Sequence, residues 1–190
     1  MAALALVLLA AGCGGSDDAP PTPDPPAPFA GCAALGAPPP SAAPVELAGP
    51  GRPLPEVVLP CFAGGPDVSV SAIRGPAVVN LWGSWCGPCR EELPAFQRFA
   101  DRAAGKVTVV GVDIRDSRSA ASSLGADLGV TYPNLFDPSE ELRAKLGVSA
   151  LPATLFVDRD GRVRHLYNST ALDDATLATL AAKHLGVTLP

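Results

Sequence analysis

Hydrophobic residues follow a regular pattern only from about Leu54 onward. A continuous apolar run at 77–82 and a run rich in β-branched residues at 106–114 are typical of strands that are buried on both faces of a sheet. Short β-prone runs that flank Gly-Pro or Arg-Asp-Gly turns predict hairpins over 54–70 and 153–167. Apolar residues at helical spacing predict a helix that carries Leu93, Phe96 and Phe99. Further helices are predicted over 117–129, 139–146 and 173–185, and a short strand is predicted over 132–136.

The order of these elements defines the predicted architecture. It runs hairpin, βαβα, a small βα insert at residues 132–146, and ββα at the end. Strands that are joined through helices have parallel neighbours, whereas the last hairpin adds antiparallel ones. The sequence therefore predicts an α/β fold with a mixed central sheet and helices on both faces.

The front of the chain differs in composition from the rest. Of the 22 prolines, 14 lie between Pro20 and Pro60. Residues 14–29 contain almost no large apolar side chain, so they cannot bury enough surface to offset the entropy lost on ordering. The predicted organisation is a signal peptide at 1–12, a Pro-rich tether at 13–53 and a folded domain at 54–190.

The first twelve residues are nearly all apolar and carry no side-chain charge. Such a run does not span a bilayer, which takes about 20 residues, but it suits a secretory signal. Residues 9–13, Leu-Ala-Ala-Gly-Cys, resemble a bacterial lipobox, which implies a lipid on Cys13 and a location at the extracytoplasmic face of the cell membrane. An ordinary cleaved signal is the alternative, because no basic residue follows Met1 and Ala10 stands where the motif prefers Leu.

The other four cysteines fall into two pairs. Cys86 and Cys89 form a C-x-x-C, while Cys32 and Cys61 flank a stretch rich in Pro, Ala and Gly. Because an exported protein can keep disulfides, we expect a structural bridge between Cys32 and Cys61. A second redox couple or two free thiols are the alternatives. The spacing lacks the paired knuckles of structural zinc sites, and we expect neither a metal nor a cofactor.

The C-x-x-C lies within Trp82-Gly83-Ser84-Trp85-Cys86-Gly87-Pro88-Cys89, between a buried strand and a helix. This segment resembles the active site of thioredoxin, and Leu151-Pro152-Ala153-Thr154 resembles the cis-proline segment of that superfamily. The membrane anchor, the N-terminal hairpin, the Arg-Glu-Glu-Leu-Pro sequence after the motif and the insert are more narrowly similar to the TlpA/ResA-like thiol-disulfide oxidoreductases. The resemblance covers about residues 54–185 and implies a thioredoxin fold with Pro152 in cis.

The position of the first cysteine explains how it would react. Only the thiolate attacks a disulfide, and a helix N-terminus stabilises a thiolate through unpaired N–H groups and the helix dipole. Cys86 is therefore the expected nucleophile, and Cys89, one turn further on, is the expected resolving thiol. Trp85, Leu151 and Pro152 are the expected contacts for a substrate.

The expected proton carrier is Glu92. Asn80 stands where thioredoxin has a buried aspartate, and a neutral amide cannot act as a base. The resemblance to the TlpA/ResA-like branch instead implies a role for the glutamate three residues after the second cysteine. Glu92 would accept a proton from Cys89 if burial raised its pKa toward neutrality. The alternative is a solvated glutamate that stabilises the first turns of the helix.

These observations predict a reductase of disulfides in exported proteins. Its clients would include an apocytochrome c before haem attachment or a metallochaperone, and a membrane thiol carrier would supply electrons. A disulfide-forming oxidase and a non-enzymatic lipoprotein binding module are the alternatives. The C-x-x-C argues against a peroxide-reducing relative, and the net charge of -5 argues against a nucleic-acid partner.

Overall fold

The computed structural model describes residues 27–42, 46–47 and 49–189. The predicted signal peptide and the predicted lipid attachment at Cys13 lie outside the described residues. Among the described residues, no helix combines the length and the apolar character that crossing a membrane requires.

A six-stranded mixed sheet forms the centre of the fold, with strands in the order β1-β8-β7-β4-β5-β6. Strands β4, β5 and β6 are parallel, whereas β7, β8 and β1 continue the sheet with antiparallel pairs. A separate hairpin, β2 with β3, lies between β1 and β4 in the chain. The strands are β1 (Arg52–Pro53), β2 (Val58–Leu59), β3 (Val68–Ser69), β4 (Ala77–Trp82), β5 (Thr108–Ile114), β6 (Asn134–Asp137), β7 (Ala153–Val157) and β8 (Arg162–Tyr167).

Helices pack on both faces of this sheet. They are α1 (Gly87–Arg102), α2 (Arg118–Asp127), α3 (Glu141–Leu146) and α4 (Asp174–Leu185), with short 3-10 helices at Ala33–Gly36 and Val70–Ala72. Apolar residues of α1, α2 and α4 share one core cluster, and Leu142 of α3 joins the 3-10 helices in the other. The predicted fold class is confirmed, because this is the mixed α/β architecture of the thioredoxin fold.

The central strand β4 illustrates why the sequence pattern was informative. All six of its residues are buried. Successive side chains point to opposite faces of a strand, so Val78 and Trp82 enter the cluster under α1, while Val79 and Leu81 enter the opposite one. A strand buried on both faces requires a continuous apolar run rather than an alternating one.

Some of the described residues within the predicted tether, 13–53, pack against the domain. Phe29 is buried, with its ring 4.9 Å edge-on from that of Phe62 and 6.2 Å from that of Trp82. Strand β1 adds to the sheet edge beside β8. Gly125 of α2 permits the approach of Phe29, because a Cβ there would lie 2.6 Å from the Phe29 ring. These long-range contacts order a segment that has no periodicity of its own.

Candidate active site

Cys86 stands where strand β4 gives way to helix α1. It is the N-cap residue of α1, its sulfur accepts a hydrogen bond from the backbone N–H of Cys89 at 3.3 Å, and Pro88 occupies the first turn. Proline suits that turn because its missing N–H would have no helical partner there. Burial differs between the two sulfur-bearing residues: Cys86 is 6% exposed and Cys89 is 0% exposed.

The structure holds Cys86 and Cys89 as a disulfide. After reduction, the same N–H group and the positive end of the α1 dipole would stabilise a thiolate on Cys86. The backbone of Cys89 therefore supplies the hydrogen bond, while its own sulfur lies deeper in the fold. This asymmetry suits one thiol that attacks and another that resolves.

Glu92 lies on α1 and is only 1% exposed. One carboxylate oxygen accepts a hydrogen bond from Asn80 Nδ2 at 2.6 Å, and the other accepts from the backbone N–H of Leu172 at 3.0 Å. Burial raises the pKa of Glu92 to about 7, and the two hydrogen bonds oppose that rise without cancelling it. A carboxyl group in this state exchanges a proton near neutral pH.

Asn80 can follow the protonation state of Glu92. Its Nδ2 donates to the carboxylate, while its buried Oδ1 has no hydrogen-bond partner in the described part of the chain. Rotation of the amide by half a turn would present Oδ1 to a protonated Glu92, which would then be the donor. The amide at the thioredoxin aspartate position is thus a partner for the acid on the neighbouring helix.

Trp85 is the exposed aromatic residue beside the cysteines, with 54% of its surface accessible. Its indole Nε1 donates to the backbone oxygens of Ile114 at 3.2 Å and Arg115 at 3.0 Å. Gly83 gives the indole room, because a Cβ on Gly83 would lie 2.7 Å from Trp85 Nε1. The ring is therefore fixed at one edge and open to solvent over much of its surface.

Pro152 follows a cis peptide bond with Leu151 and immediately precedes β7. Because Leu81 pairs with Ala153 in the antiparallel ladder, Pro152 lies level with the end of β4, where the active-site turn begins. Asn168 holds this segment, as its Nδ2 donates to the backbone oxygens of Ala150 at 2.9 Å and Pro152 at 2.8 Å. Leu151 is half-buried and packs against both core clusters.

Cys32 and Cys61 form a second disulfide, which lies away from the C-x-x-C in the opposite core cluster. The backbone of Cys61 also forms an isolated antiparallel β-bridge with Leu135 of β6. The disulfide therefore fastens the segment around Cys32 to the edge of the central sheet. Both cysteines are buried.

Sequence reasoning missed several polar residues around the site. The sequence pattern indicates neither Asn168 nor Asp116 as a residue of the site. Asp113 interrupts the apolar run of β5, and this interruption was the one signal available for it. Nothing local indicates Leu172, whose N–H reaches Glu92 from 80 residues further along the chain.

The described residues contain no group of three or more His, Cys, Asp or Glu side chains that could hold a metal ion. His165 and His184 come together with their rings stacked at 4.1 Å, next to Phe156. The pKa of each ring is lowered, first by burial.

A thioredoxin fold that presents a C-x-x-C at a helix N-terminus defines the class of thiol-disulfide oxidoreductases. Residues 50–166 match the family model described as AhpC/TSA family, and the chain belongs to that family. The chain is similar to thiol:disulfide interchange protein DsbE of Pseudomonas fluorescens biotype C, with 32% identity over 136 residues, 70% of this chain and 75% of that protein.

Two further comparisons agree with this class. The chain is 28% identical to thiol-disulfide oxidoreductase ResA of Bacillus subtilis strain 168 over 108 residues, 56% of this chain and 60% of ResA, so less than two thirds of ResA is matched. A crystal structure of a DsbF homologue from Corynebacterium diphtheriae superposes with a TM-score of 0.64 and 29% identity, and it covers 73% of this chain and 90% of that one. The predicted resemblance to ResA-like oxidoreductases is confirmed.

Proposed function

We propose that this enzyme is a lipid-anchored, extracytoplasmic reductase of disulfides in exported proteins, with Cys86 as its nucleophile. The observation that carries the proposal is the capping geometry, in which the Cys86 sulfur accepts an N–H of its own helix while Cys89 lies beneath it. This geometry favours a thiolate on the more accessible sulfur, and only the thiolate attacks a disulfide.

The reductive half-cycle begins when the Cys86 thiolate attacks one sulfur of the client disulfide. A mixed disulfide forms, and the other client sulfur leaves as a thiolate that takes up a proton. Cys89 then loses its proton, attacks the Cys86 sulfur and releases the second client thiolate. Two electrons pass to the client, and the enzyme is left with the Cys86–Cys89 disulfide. A membrane thiol carrier would return the enzyme to its dithiol form.

Glu92 is the group we propose as acceptor of the Cys89 proton. The support is its position one turn further along α1, its burial and a pKa raised to about 7 by that burial. Because residues three apart lie on the same side of a helix, Glu92 and Cys89 share a face of α1. A solvated role for Glu92 conflicts with its 1% exposure.

The client is proposed to bind across Trp85, Leu151 and Pro152. Trp85 offers an exposed apolar surface, and Leu151 is half-buried where β7 begins. An exported apoprotein with an accessible disulfide, such as an apocytochrome c or a metallochaperone, suits such a surface. A folded protein with buried disulfides does not.

The direction of electron flow rests on the residues between the two sulfurs. Gly87 and Pro88 are those that thioredoxin carries, and the thioredoxin potential is roughly -270 mV. We therefore expect a low potential and net reduction of clients. Equilibration of the protein with glutathione buffers measures this quantity, and a value above roughly -150 mV would assign the enzyme to disulfide formation instead.

The location rests on the sequence before the domain. A lipid on Cys13 followed by Pro-rich residues would hold the enzyme at the outer face of the membrane, and part of residues 13–53 would act as the tether. An intact-mass measurement of the membrane-extracted protein tests this arrangement. If no acyl mass is found on Cys13, the lipid anchor is refuted and an ordinary secreted enzyme is the remaining interpretation.

Mechanism-based trapping is the direct test of the proposed chemistry. Cys89→Ser should retain the attacking thiol and accumulate clients as mixed disulfides, which a reductant releases for identification by mass spectrometry. Cys86→Ser is the matched control and should trap nothing. Equal trapping by the two variants, or none by Cys89→Ser in cells that express exported disulfide proteins, would contradict the assignment of Cys86.

A further inference from the structure

Arg115 follows β5 directly and lies beside Trp85 at the surface of the active site. Its backbone oxygen accepts the hydrogen bond from Trp85 Nε1 at 3.0 Å. Its backbone N–H donates to the backbone oxygen of Asp137 at 3.1 Å. The two side chains line one surface cavity of about 420 Å³. The backbone of Arg115 is therefore held from two sides, and its side chain is placed next to the exposed indole.

The backbone conformation of Arg115 is uncommon for a residue with a side chain. Among the described residues other than glycine, only Arg115 and Glu140 have a positive φ, 51° for Arg115. This region favours glycine, because a Cβ crowds the neighbouring carbonyl oxygen. The Arg115 side chain is 71% exposed, so packing in the core does not explain its presence at this position. Strain of this kind at the edge of an active site suggests a role for the side chain itself.

The acidic residues around Arg115 leave its guanidinium able to bind a further carboxylate. Glu140 forms its short ion pair with Arg143, at 2.8 Å, whereas Arg115 Nε lies 3.4 Å from the other Glu140 oxygen. A long, exposed pair of this kind has little effect on stability. The carboxylate of Asp116 accepts hydrogen bonds from Ser84 and Ser117. Because the contact with Glu140 uses Nε, the terminal nitrogens of Arg115 can donate to a ligand from solvent.

We propose that Arg115 and Trp85 together bind a client segment that carries an Asp or Glu next to its disulfide cysteine. The guanidinium pairs with the carboxylate, and the indole covers the apolar part of the same segment. This inference rests on the proposed function, because it names the class of client that the same site prefers. The whole chain has a net charge of -5, so attraction of an acidic segment must come from charges close to the site.

Two peptides that differ only in charge test this preference. Each has one cysteine that carries a 2-thiopyridyl group, flanked by Glu in one peptide and by Gln in the other. In Cys89→Ser, the Cys86 thiolate attacks the peptide sulfur and forms a mixed disulfide. The pyridine-2-thiolate leaves and takes up a proton, and its absorbance reports the rate. The second-order rate constant should be about threefold higher for the Glu peptide, which is the effect of an exposed ion pair.

Addition of Arg115→Gln should abolish the preference, because Gln is polar and has a Cβ but lacks the charge. If that variant does not fold, Arg115→Gly serves instead, since the φ of Arg115 suits glycine. Arg102→Gln is the matched control. It removes the same charge from a half-exposed residue at the far end of α1, about 22 Å from the cysteines at about 1.5 Å per residue, and should keep the preference.

Salt provides a second control. At about 0.1 M salt, charges more than about 10 Å away are screened, so the rate ratio reports the charges near the site. At about 1 M salt the preference should largely disappear. Equal rates for the two peptides in Cys89→Ser at the lower salt concentration, or a preference that persists without the Arg115 side chain, would overturn the proposal.

An NMR titration of the oxidised protein separates this inference from the proposed function. Peptides in which Ser replaces the cysteine cannot react, yet the Glu peptide should shift the Trp85 indole and Arg115 Nε–H signals more than the Gln peptide does. If these shifts occur while neither activated peptide reacts with Cys86, the proposed function is wrong and the Arg115 inference stands. Equal shifts with both peptides, or a response to phosphatidylglycerol vesicles in place of the Glu peptide, would overturn the inference.

Discussion

The buried state of Glu92 leads to a prediction about stability that does not depend on any client. The pKa of Glu92 rises from 4.5 to about 7 on folding. Each pKa unit corresponds to about 1.4 kcal/mol, so the shift corresponds to about 3 kcal/mol. An acid with a raised pKa stabilises the folded protein fully below its unfolded pKa. That contribution is lost as the pH rises toward the folded value.

The substitution Glu92→Gln should remove this dependence. Between pH 4.5 and pH 7.5, the free energy of unfolding of the unsubstituted protein should fall by about 3 kcal/mol relative to that of the variant. Other titrating groups, including both histidines, are common to the two proteins and drop out of the difference. The Asn80 amide can rotate to accept from the new Gln side chain, so the variant should fold.

Urea unfolding of the oxidised proteins, followed by circular dichroism at several pH values, measures the difference. Glu91→Gln is the matched control, because Glu91 is the exposed neighbour of Glu92 on the same helix. It should follow the unsubstituted protein at every pH. Parallel stability curves for Glu92→Gln and the unsubstituted protein would refute the claim that Glu92 holds a proton near neutrality.

The same variant tests the proposed proton transfer. Stopped-flow resolution of a preformed Cys86 mixed disulfide should show an inflection near pH 7 in the unsubstituted enzyme. The inflection should be absent, and the rate lower, in Glu92→Gln. An unchanged pH-rate profile would remove Glu92 from the mechanism while leaving its effect on stability standing.

Three further predictions concern groups outside the Glu92 system. Replacing Cys32 and Cys61 by Ser should lower the free energy of unfolding by about 3–4 kcal/mol, because the bridge closes a loop with a sequence separation of 29, and insulin reduction should persist. Trp85→Ala should raise the KM for a peptide disulfide by about tenfold and leave the alkylation rate of Cys86 nearly unchanged; equal changes in both would argue for a structural role. Because the folded state lowers the pKa values of His165 and His184, the contribution of these two residues to stability should decline as the pH falls below about 6.5, and in thermal melts the unsubstituted protein should lose stability relative to His184→Gln over that range.

The features that the sequence predicts well are those with local causes. The continuous apolar run of β4 follows from burial on both faces, and the Pro88 position follows from the unpaired N–H groups of a helix start. Helix ends were likewise accessible, since Gly147 and Gly186 have the positive φ angles of helix termination. The C-x-x-C needed no long-range information, because one helical turn brings its two sulfurs together.

The features that the sequence did not predict depend on contacts between distant residues. The position of Phe29 depends on the rings of Phe62 and Trp82 and on the space beside Gly125, which lies nearly 100 residues further along the chain. The short edge strand β1 contains a proline. A pattern of periodicity contains no signal for either contact. The sequence likewise does not determine whether Glu92 is buried, because a helix near a strand end has both a buried and a solvated face.

Two buried acids, Glu92 on α1 and Asp113 on β5, differ in the partners that set their pKa values. Glu92 meets two donors, Asn80 and the N–H of Leu172, whereas no donor from residues 27–42, 46–47 or 49–189 reaches Asp113, whose pKa the charge of Asp116 also raises. Burial raises both pKa values, but the donors hold Glu92 near 7 while Asp113 reaches about 9. A pKa near 7 suits the proton exchange with Cys89 that we propose for Glu92, whereas a pKa of about 9 keeps Asp113 protonated at neutral pH. The two donors that contact Glu92 therefore support its proposed role as proton carrier, since depth of burial alone does not distinguish the two acids.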